Sequence, residues 1–214
     1  MTLKKILYTR KKDVKMDVLI NEPKIDLACG NNKREGFKGI DVIKTESTDY
    51  VVDLQVYPWP IESGSVEHAH CSHYIEHIPH SSVNSILKHS NSFEEFKEKM
   101  ANSKDGLIEF WNELYRILKP GGKASIIAPH YTSQRAYGDP THERSIADST
   151  SWYLNKAWVD ESGIGHYGLN CDFDVKISYY ISNEMTLKSE EVRQKALLHY
   201  WNSADDIMID LIKK

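Results

Sequence analysis

Apolar residues gather along this chain in short runs, separated by polar and turn-forming residues. The runs 23–29 (PKIDLAC), 38–43 (KGIDVI), 49–54 (DYVVDL), 66–72 (VEHAHCS) and 123–129 (KASIIAP) predict strands. Two later stretches, 173–182 and 205–213, alternate apolar with polar positions, as half-buried strands do. Asp205 to Leu211 also reads as a continuation of the helix before it, but Asp206, Met208 and Asp210 alternate with Ile207, Ile209 and Leu211. Over 105–118 the period lengthens: Leu107, Trp111, Leu114 and Leu118 recur at helical spacing. Asp105 suits the N-cap of that helix, and Pro120-Gly121-Gly122 ends it. A second helix is predicted over about 188–202, with Glu190 and Glu191 in the first turn, where acids complement the helix dipole. Residues 81–104 are polar and read as a surface insertion holding one helix, Phe93 to Met100. Strands alternating with helices predict an α/β fold around a mostly parallel sheet, doubly wound.

One connection is too short for that pattern. Only six residues separate Gly30 from Phe37, whereas a parallel crossover takes about a dozen or more. The spacing predicts a compressed loop, or a helix reduced to about one turn. Such a crossover lacks a full helix dipole to hold an anion. Backbone N–H groups of Asn31–Lys33, or the side chains of Lys33 and Arg34, would compensate.

The same segment carries candidate chemistry. Ligands of open α/β sheets bind beyond the carboxyl ends of the strands, and Asp26 to Gly30 falls at such an end. Ala28 and Gly30 let backbone approach a ligand closely. Asp41, eleven positions after Gly30, ends the second strand, where a carboxylate can accept from both hydroxyls of a ribose. The two acids also read as residues that merely end strands at turns. The dinucleotide fingerprint G-x-G-x-x-G, with its acid about 20 residues on, is not matched.

Bulk properties narrow the classes. A chain of 214 residues suits one domain with a substantial core. No apolar run approaches the ~20 residues of a bilayer span. Three widely spaced cysteines, Cys29, Cys71 and Cys171, make no disulfide framework and favour a reducing, cytoplasmic setting. Residues 1–24 hold seven Lys/Arg against three Asp/Glu, +4 out of a net −4, so the remainder carries −8. Residues 1–22 therefore read as a basic extension before a single domain over 23–214, and overall acidity argues against broad nucleic-acid binding.

Several blocks, taken in order, resemble class I S-adenosylmethionine-dependent methyltransferases of the small type 11 kind. Asp26-Leu27-Ala28-Cys29-Gly30 resembles their first motif, with Ala28 replacing a glycine, and Gly36 to Asp41 resembles the second. Asp53-Leu54, Pro58 to Val66, Cys71 to His77 and Glu113 to Gly122 resemble four further blocks. The resemblance implies a Rossmann-like seven-stranded sheet, mostly parallel with an antiparallel C-terminal strand. It implies S-adenosyl-L-methionine as cofactor, with Ala28, Cys29, Gly30 and Asn31 lining the methionine part and Asp41, with Val42 beside it, at the ribose. Asp53 and Leu54 would flank the adenine, and Ser72 would meet the ammonium.

The methyl acceptor is not legible. No N/D-P-P-Y motif follows strand four, where Cys71-Ser72-His73-Tyr74 stands, which lowers the case for adenine or glutamine N-methylation. A small metabolite or a sugar is the default, received by the loop region 130–170. His142 is the first candidate for a general base and His130 the second. His73, Tyr131, Asp139 and Arg144 are candidate substrate-side residues. Asp139-Pro140 also reads as a plain turn, with His142 bonding the backbone. Trp152, Tyr153, Trp158 and Tyr167 read as core and lid packing or as an aromatic substrate wall. Two other readings stay open. His73-Tyr74-Ile75-Glu76-His77 matches H-x-x-E-H, which on a helix would suit a zinc hydrolase. A non-catalytic S-adenosylmethionine-binding module is the other. No metal is expected for the methyl-transfer reading.

Overall fold

A computed structural model describes residues 19–214. The basic extension expected over 1–22 lies, up to residue 18, outside the described residues. Seven strands form one sheet: β1 (Lys24–Leu27), β2 (Lys38–Asp41), β3 (Tyr50–Val51), β4 (Val66–Ser72), β5 (Leu118–Pro129), β6 (Phe173–Tyr180) and β7 (Asp206–Lys213). Their order is β3-β2-β1-β4-β5-β7-β6. Neighbours from β3 through β5 are parallel, and β7 runs antiparallel to both β5 and β6. This is the Rossmann-like methyltransferase sheet that the sequence blocks imply. The 205–213 segment is a strand, as its alternation indicates. Short helices follow β4: α1 (Val83–Lys88), α2 (Phe93–Ala101), α3 (Gly106–Ile117), α4 (Arg135–Gly138), α5 (Lys156–Glu161), α6 (Asn183–Thr186) and α7 (Glu190–His199). The 81–104 insertion thus holds two helices, where the sequence predicted one. Among the described residues no helix is long and apolar enough to cross a membrane.

The helix α3 is where sequence and packing agree most closely. Asp105 Oδ1 accepts from the N–H groups of Leu107 (2.9 Å) and Ile108 (3.4 Å), capping it as expected. Leu107, Phe110, Trp111, Leu114 and Ile117 form its buried stripe and share one cluster with Ile25, Leu27, Ala69, Cys71 and Ile126 of the sheet. Each such side chain contributes about 2 kcal/mol of burial.

Two expectations are corrected. Among the described residues no helix precedes residue 75, so all three crossovers linking β1 to β4 are loops. The compressed Gly30–Phe37 connection is one of a set. In addition, the sheet is not covered equally on its two faces. Ile25, Leu27, Ile40, Ala69, Cys71, Ala124, Ile126, Ile207 and Ile209 are all at most 1% exposed. The register sets Asp26, His70, Ser125, Asp210 and Lys176 side by side on the opposite face. There His70, Ser125 and Asp210 are half-buried and Lys176 is exposed. A doubly wound sheet buries apolar residues on both faces; among the described residues the first three crossovers supply no helix to the second face, and most of the positions on it are polar.

A clamp ties the last of these loops to α3. Glu113, on α3, accepts the Trp59 N–H (2.8 Å) and two hydrogen bonds from Arg116 (2.8 Å each). Arg116 also donates to Ile61 O, Ser63 Oγ and Trp59 O. The Trp59 indole N–H donates to Leu54 O at 2.9 Å. One ion pair therefore fixes the loop between β3 and β4, which explains structurally why Glu113 and Arg116 stand three apart before the Pro-Gly-Gly turn.

Candidate functional site

The carboxyl ends of β1 and β2 form a cup. Beyond β1, Ala28 (φ 55°) and Gly30 (φ 54°) take left-handed backbone, which reverses the chain within the short crossover. The Gly30 N–H donates to Asp41 Oδ2 at 2.9 Å, and the Ile43 N–H donates to Asp41 Oδ1 at 2.9 Å. Both carboxylate oxygens are thereby oriented, and each keeps a lone pair free for a hydroxyl. Val42 and Ile43, 57% and 66% exposed, present apolar surface beside Asp41. That pair of exposed apolar side chains suits a flat ring lying on it.

The crossover is anchored from the loop that follows β2. Lys33 Nζ pairs with Asp49 Oδ2 at 2.7 Å, Ser47 Oγ donates to Asn31 O at 2.8 Å, and Thr45 Oγ1 donates to Gly30 O at 2.9 Å. Lys33 and the Gly39 N–H hold the exposed Asp49 carboxyl down at about 2. The two loops approach so closely at Gly39 that a Cβ there would lie 2.2 Å from Ser47 O and 2.7 Å from Cys29 Sγ. Cys29 Sγ lies 3.6 Å from Ser47 O.

The expected cofactor residues divide accordingly. Gly30, Asn31, Asp41 and Val42 are accessible at the cup, with Ser72 half-buried at the end of β4. Asp26 is 3% exposed and accepts the Arg34 N–H at 2.7 Å, so it anchors the loop. Burial raises its pKa, opposed by Arg34 and Lys33. Leu54 is 3% exposed and belongs to the core, and Asp53 closes a turn by accepting the Gln55 N–H. Of the groups expected to hold an anion, Lys33 is committed to Asp49, while Arg34 contacts His70 Nδ1 (3.2 Å) and lies over the Phe37 ring. The Asn31 and Lys33 N–H groups have no acceptor among the described residues. The Tyr74 hydroxyl is likewise buried without a partner, and burial, with Asp53 and Asp41 nearby, pushes its pKa up.

Next to the cup, beyond β4 and β5, lies a cavity of about 510 Å³ lined by His73, Glu76, His77, Arg135, Asp139 and His142. Its floor is the turn Ile75–His77, a single turn of 3-10 helix. The helix on which His73 and His77 would share a face does not form: His73 precedes the turn with φ 54°. His142 takes its place beside His77, the two rings meeting edge to face with centroids 4.7 Å apart. Arg144 brings this about. Its guanidinium donates to Ile78 O and Pro79 O and pairs with Asp105 at 3.0 Å, while the Glu143 and Arg144 N–H groups donate to Glu76 O. Arg144, expected on the substrate side, is thus a half-buried fastener.

Asp139 forms the turn read in the sequence, accepting from Thr141 N and Thr141 Oγ1 (2.8 and 2.7 Å), which hold its pKa low. His142 Nδ1 lies 3.1 Å from Ala136 O, so the backbone contact is present too. A carbonyl only accepts, so Nδ1 carries the proton and the Nε2 lone pair is free in the neutral ring. His130 is 2% exposed, with Nδ1 on Thr132 Oγ1 (2.8 Å) and Nε2 3.4 Å from Asp148. It sits in the core behind Tyr131, which is 37% exposed. Sequence reasoning did not single out Arg135 and Asp206, which pair at 2.8 Å beside His73. They lie far apart in the chain, and no motif links them. Trp152, Tyr153, Trp158 and Tyr167 pack on one another, and the cavity that Trp152 and Trp158 line lies against β6, away from the cup.

No family model matches the sequence, and no curated protein matches it. Solved structures do resemble the fold. A SAM-dependent methyltransferase from Archaeoglobus fulgidus superposes with a TM-score of 0.55 at 20% identity, over 88% of this chain and 85% of that one. An S-adenosylmethionine-dependent methyltransferase from Mesorhizobium loti gives 0.45 at 10% identity, over 90% and 91%. The first likeness places the fold among those of S-adenosylmethionine-dependent methyltransferases.

Proposed function

We propose that this chain binds S-adenosyl-L-methionine in the cup and directs its methyl group to an acceptor received in the adjoining cavity. The Asp41 carboxylate carries this reading: it is pre-oriented by two backbone N–H groups, next to exposed Val42 and Ile43. That geometry suits the two hydroxyls of a ribose and the face of an adenine. The Asn31 and Lys33 N–H groups suit the methionine carboxylate, and Ser72 the ammonium side. The Tyr74 hydroxyl, buried and unpartnered near Asp41, fits a ligand with polar atoms at this place.

The bound cofactor supplies an activated methyl group, so the protein's share is placement. The cavity is polar, which favours a small metabolite or a sugar as acceptor. An acceptor hydroxyl must lose its proton, and His142, with a free Nε2 lone pair beside His77, is the group placed to receive it.

Calorimetric titration with S-adenosylhomocysteine tests the cup, and absence of binding overturns the reading. Incubation with methyl-labelled S-adenosylmethionine and pools of metabolites, glycans and proteins then tests transfer, with the labelled product identified by mass. Cofactor binding without product from any pool would make the chain a binding module.

A further inference from the structure

Three potential ligand atoms at the cavity floor stand closer together than the methyl-transfer reading requires. One atom each from Glu76, His77 and His142 lies within 4.8 Å of the others. Glu76 is 1% exposed, lines the cavity, and neither carboxylate oxygen has a hydrogen-bond partner among the described residues. His73 Nδ1 approaches Oε1 to 3.4 Å without hydrogen-bond geometry. A buried carboxylate left so is costly unless a cation or donor meets it.

The two imidazoles are set for the same partner. His77 Nδ1 lies 3.2 Å from Thr141 O, and His142 Nδ1 lies 3.1 Å from Ala136 O. Each Nδ1 therefore donates to a carbonyl, and each Nε2 keeps its lone pair. Metal-bound histidines are held in this way, the far ring N–H fixed on a backbone carbonyl or carboxylate. Asp139 Oδ2 stands 4.0 Å from His142 Nε2 as a further oxygen near the cluster.

We infer that Glu76, His77 and His142 form a site for one divalent transition-metal ion, of the zinc or manganese class. Two imidazoles and one carboxylate match the donor set such ions take in sites that leave positions open for a substrate. The site differs from the H-x-x-E-H pattern of the sequence, because His142 replaces His73. Binding of the ion does not rest on the methyl-transfer reading. Its consequence does: an acceptor hydroxyl or carboxylate oxygen would coordinate the ion, and the ion would then lower the hydroxyl pKa in place of a free His142 base.

The test uses the full chain, stripped of metal with a chelator and titrated with Zn²⁺ and with Co²⁺. The expected result is one equivalent bound, with Co²⁺ giving visible ligand-field bands. Glu76→Gln, His77→Ala and His142→Ala should each weaken binding by more than about tenfold, while His166→Ala, at an exposed position, leaves it unchanged. No stoichiometric uptake, or uptake that the three variants leave intact, overturns the site. Should an alanine variant fail to fold, Glu76→Gln, which keeps the side-chain shape, decides. Parallel titration of the stripped protein with S-adenosylhomocysteine separates the two proposals: cofactor binding without metal uptake removes only this site, and metal uptake without cofactor binding removes only the methyl-transfer reading.

Discussion

His142 meets His77 edge to face at 4.7 Å, and Arg144 holds the two segments together through Ile78 O, Pro79 O and Asp105. The contact forms part of the cavity proposed for the acceptor, and it links a loop after β5 to the turn after β4. His142→Ala should lower methyl transfer by about 100-fold or more. Affinity for S-adenosylhomocysteine should stay within about twofold, because the ring lies outside the cup and a lost remote contact is small on the scale of binding. Single-turnover rates and calorimetry on one preparation decide it; unchanged turnover would remove His142 from the chemistry.

Asp41→Ala acts on the other half of the site. It removes the acceptor of two backbone hydrogen bonds and the group assigned to the ribose. The expected loss of cofactor affinity is about 1–3 kcal/mol. Wild-type affinity in this variant would refute the assignment.

The clamp should be visible in stability alone. Arg116→Ala leaves the buried Glu113 carboxylate without its counter-charge and strips the donor from Trp59 O, Ile61 O and Ser63 Oγ. A cost of about 2–4 kcal/mol follows for a largely buried, multiply bonded pair. Denaturant unfolding measures it, and a change under about 0.5 kcal/mol, the size usual for surface substitutions, would show the clamp to be idle.

Protonation of His73 gives a pH signature in metal-free protein. The Glu76 carboxylate beside it, assisted by Asp206 and opposed by burial and Arg135, raises its pKa above the ordinary 6.5. The folded state thus holds this proton more tightly than the unfolded chain. The stabilisation is complete below the unfolded value and disappears as pH rises through the folded one. The stability difference between wild type and His73→Gln should therefore shrink as pH rises above the ordinary 6.5, as followed by thermal unfolding. A difference that grows with pH would contradict the assignment.

Gly39→Ala probes the seam between the loops. Its Cβ would overlap Ser47 O and Cys29 Sγ, so overpacking should cost about 1–3 kcal/mol and weaken cofactor binding with it. An unchanged melting temperature would mean that the seam can open freely.

The strands were legible because local alternation and short apolar runs record which face is buried. The helix α3 was legible because Leu107, Trp111 and Leu114 recur at helical spacing behind the Asp105 cap, although Leu118, read with them, opens β5. The loops that replace the first helices were only partly legible. The six-residue spacing after Gly30 exposed one of them, and Pro58, Pro60 and Gly64 disfavour a helix within 52–65, but nothing local shows what anchors that segment, since Glu113 and Arg116, which bond Trp59, Ile61 and Ser63, come much later. The cup was readable from motif order. The cavity was not, because pairing His142 with His77 and Arg135 with Asp206 depends on the tertiary path. His130 attracted attention as a histidine beyond a strand, yet Thr132 and Asp148 enclose it.

The short crossover after β1 has a practical corollary. Its lysine is paired with Asp49 and its exposed arginine leans on His70 and Phe37, so an anionic tail it receives is left chiefly to main-chain amides. Conventional alanine scanning leaves main-chain donors in place and would register little at Asn31 and Asn32, even where recognition is strong. A silent scan there should not be taken as an empty surface.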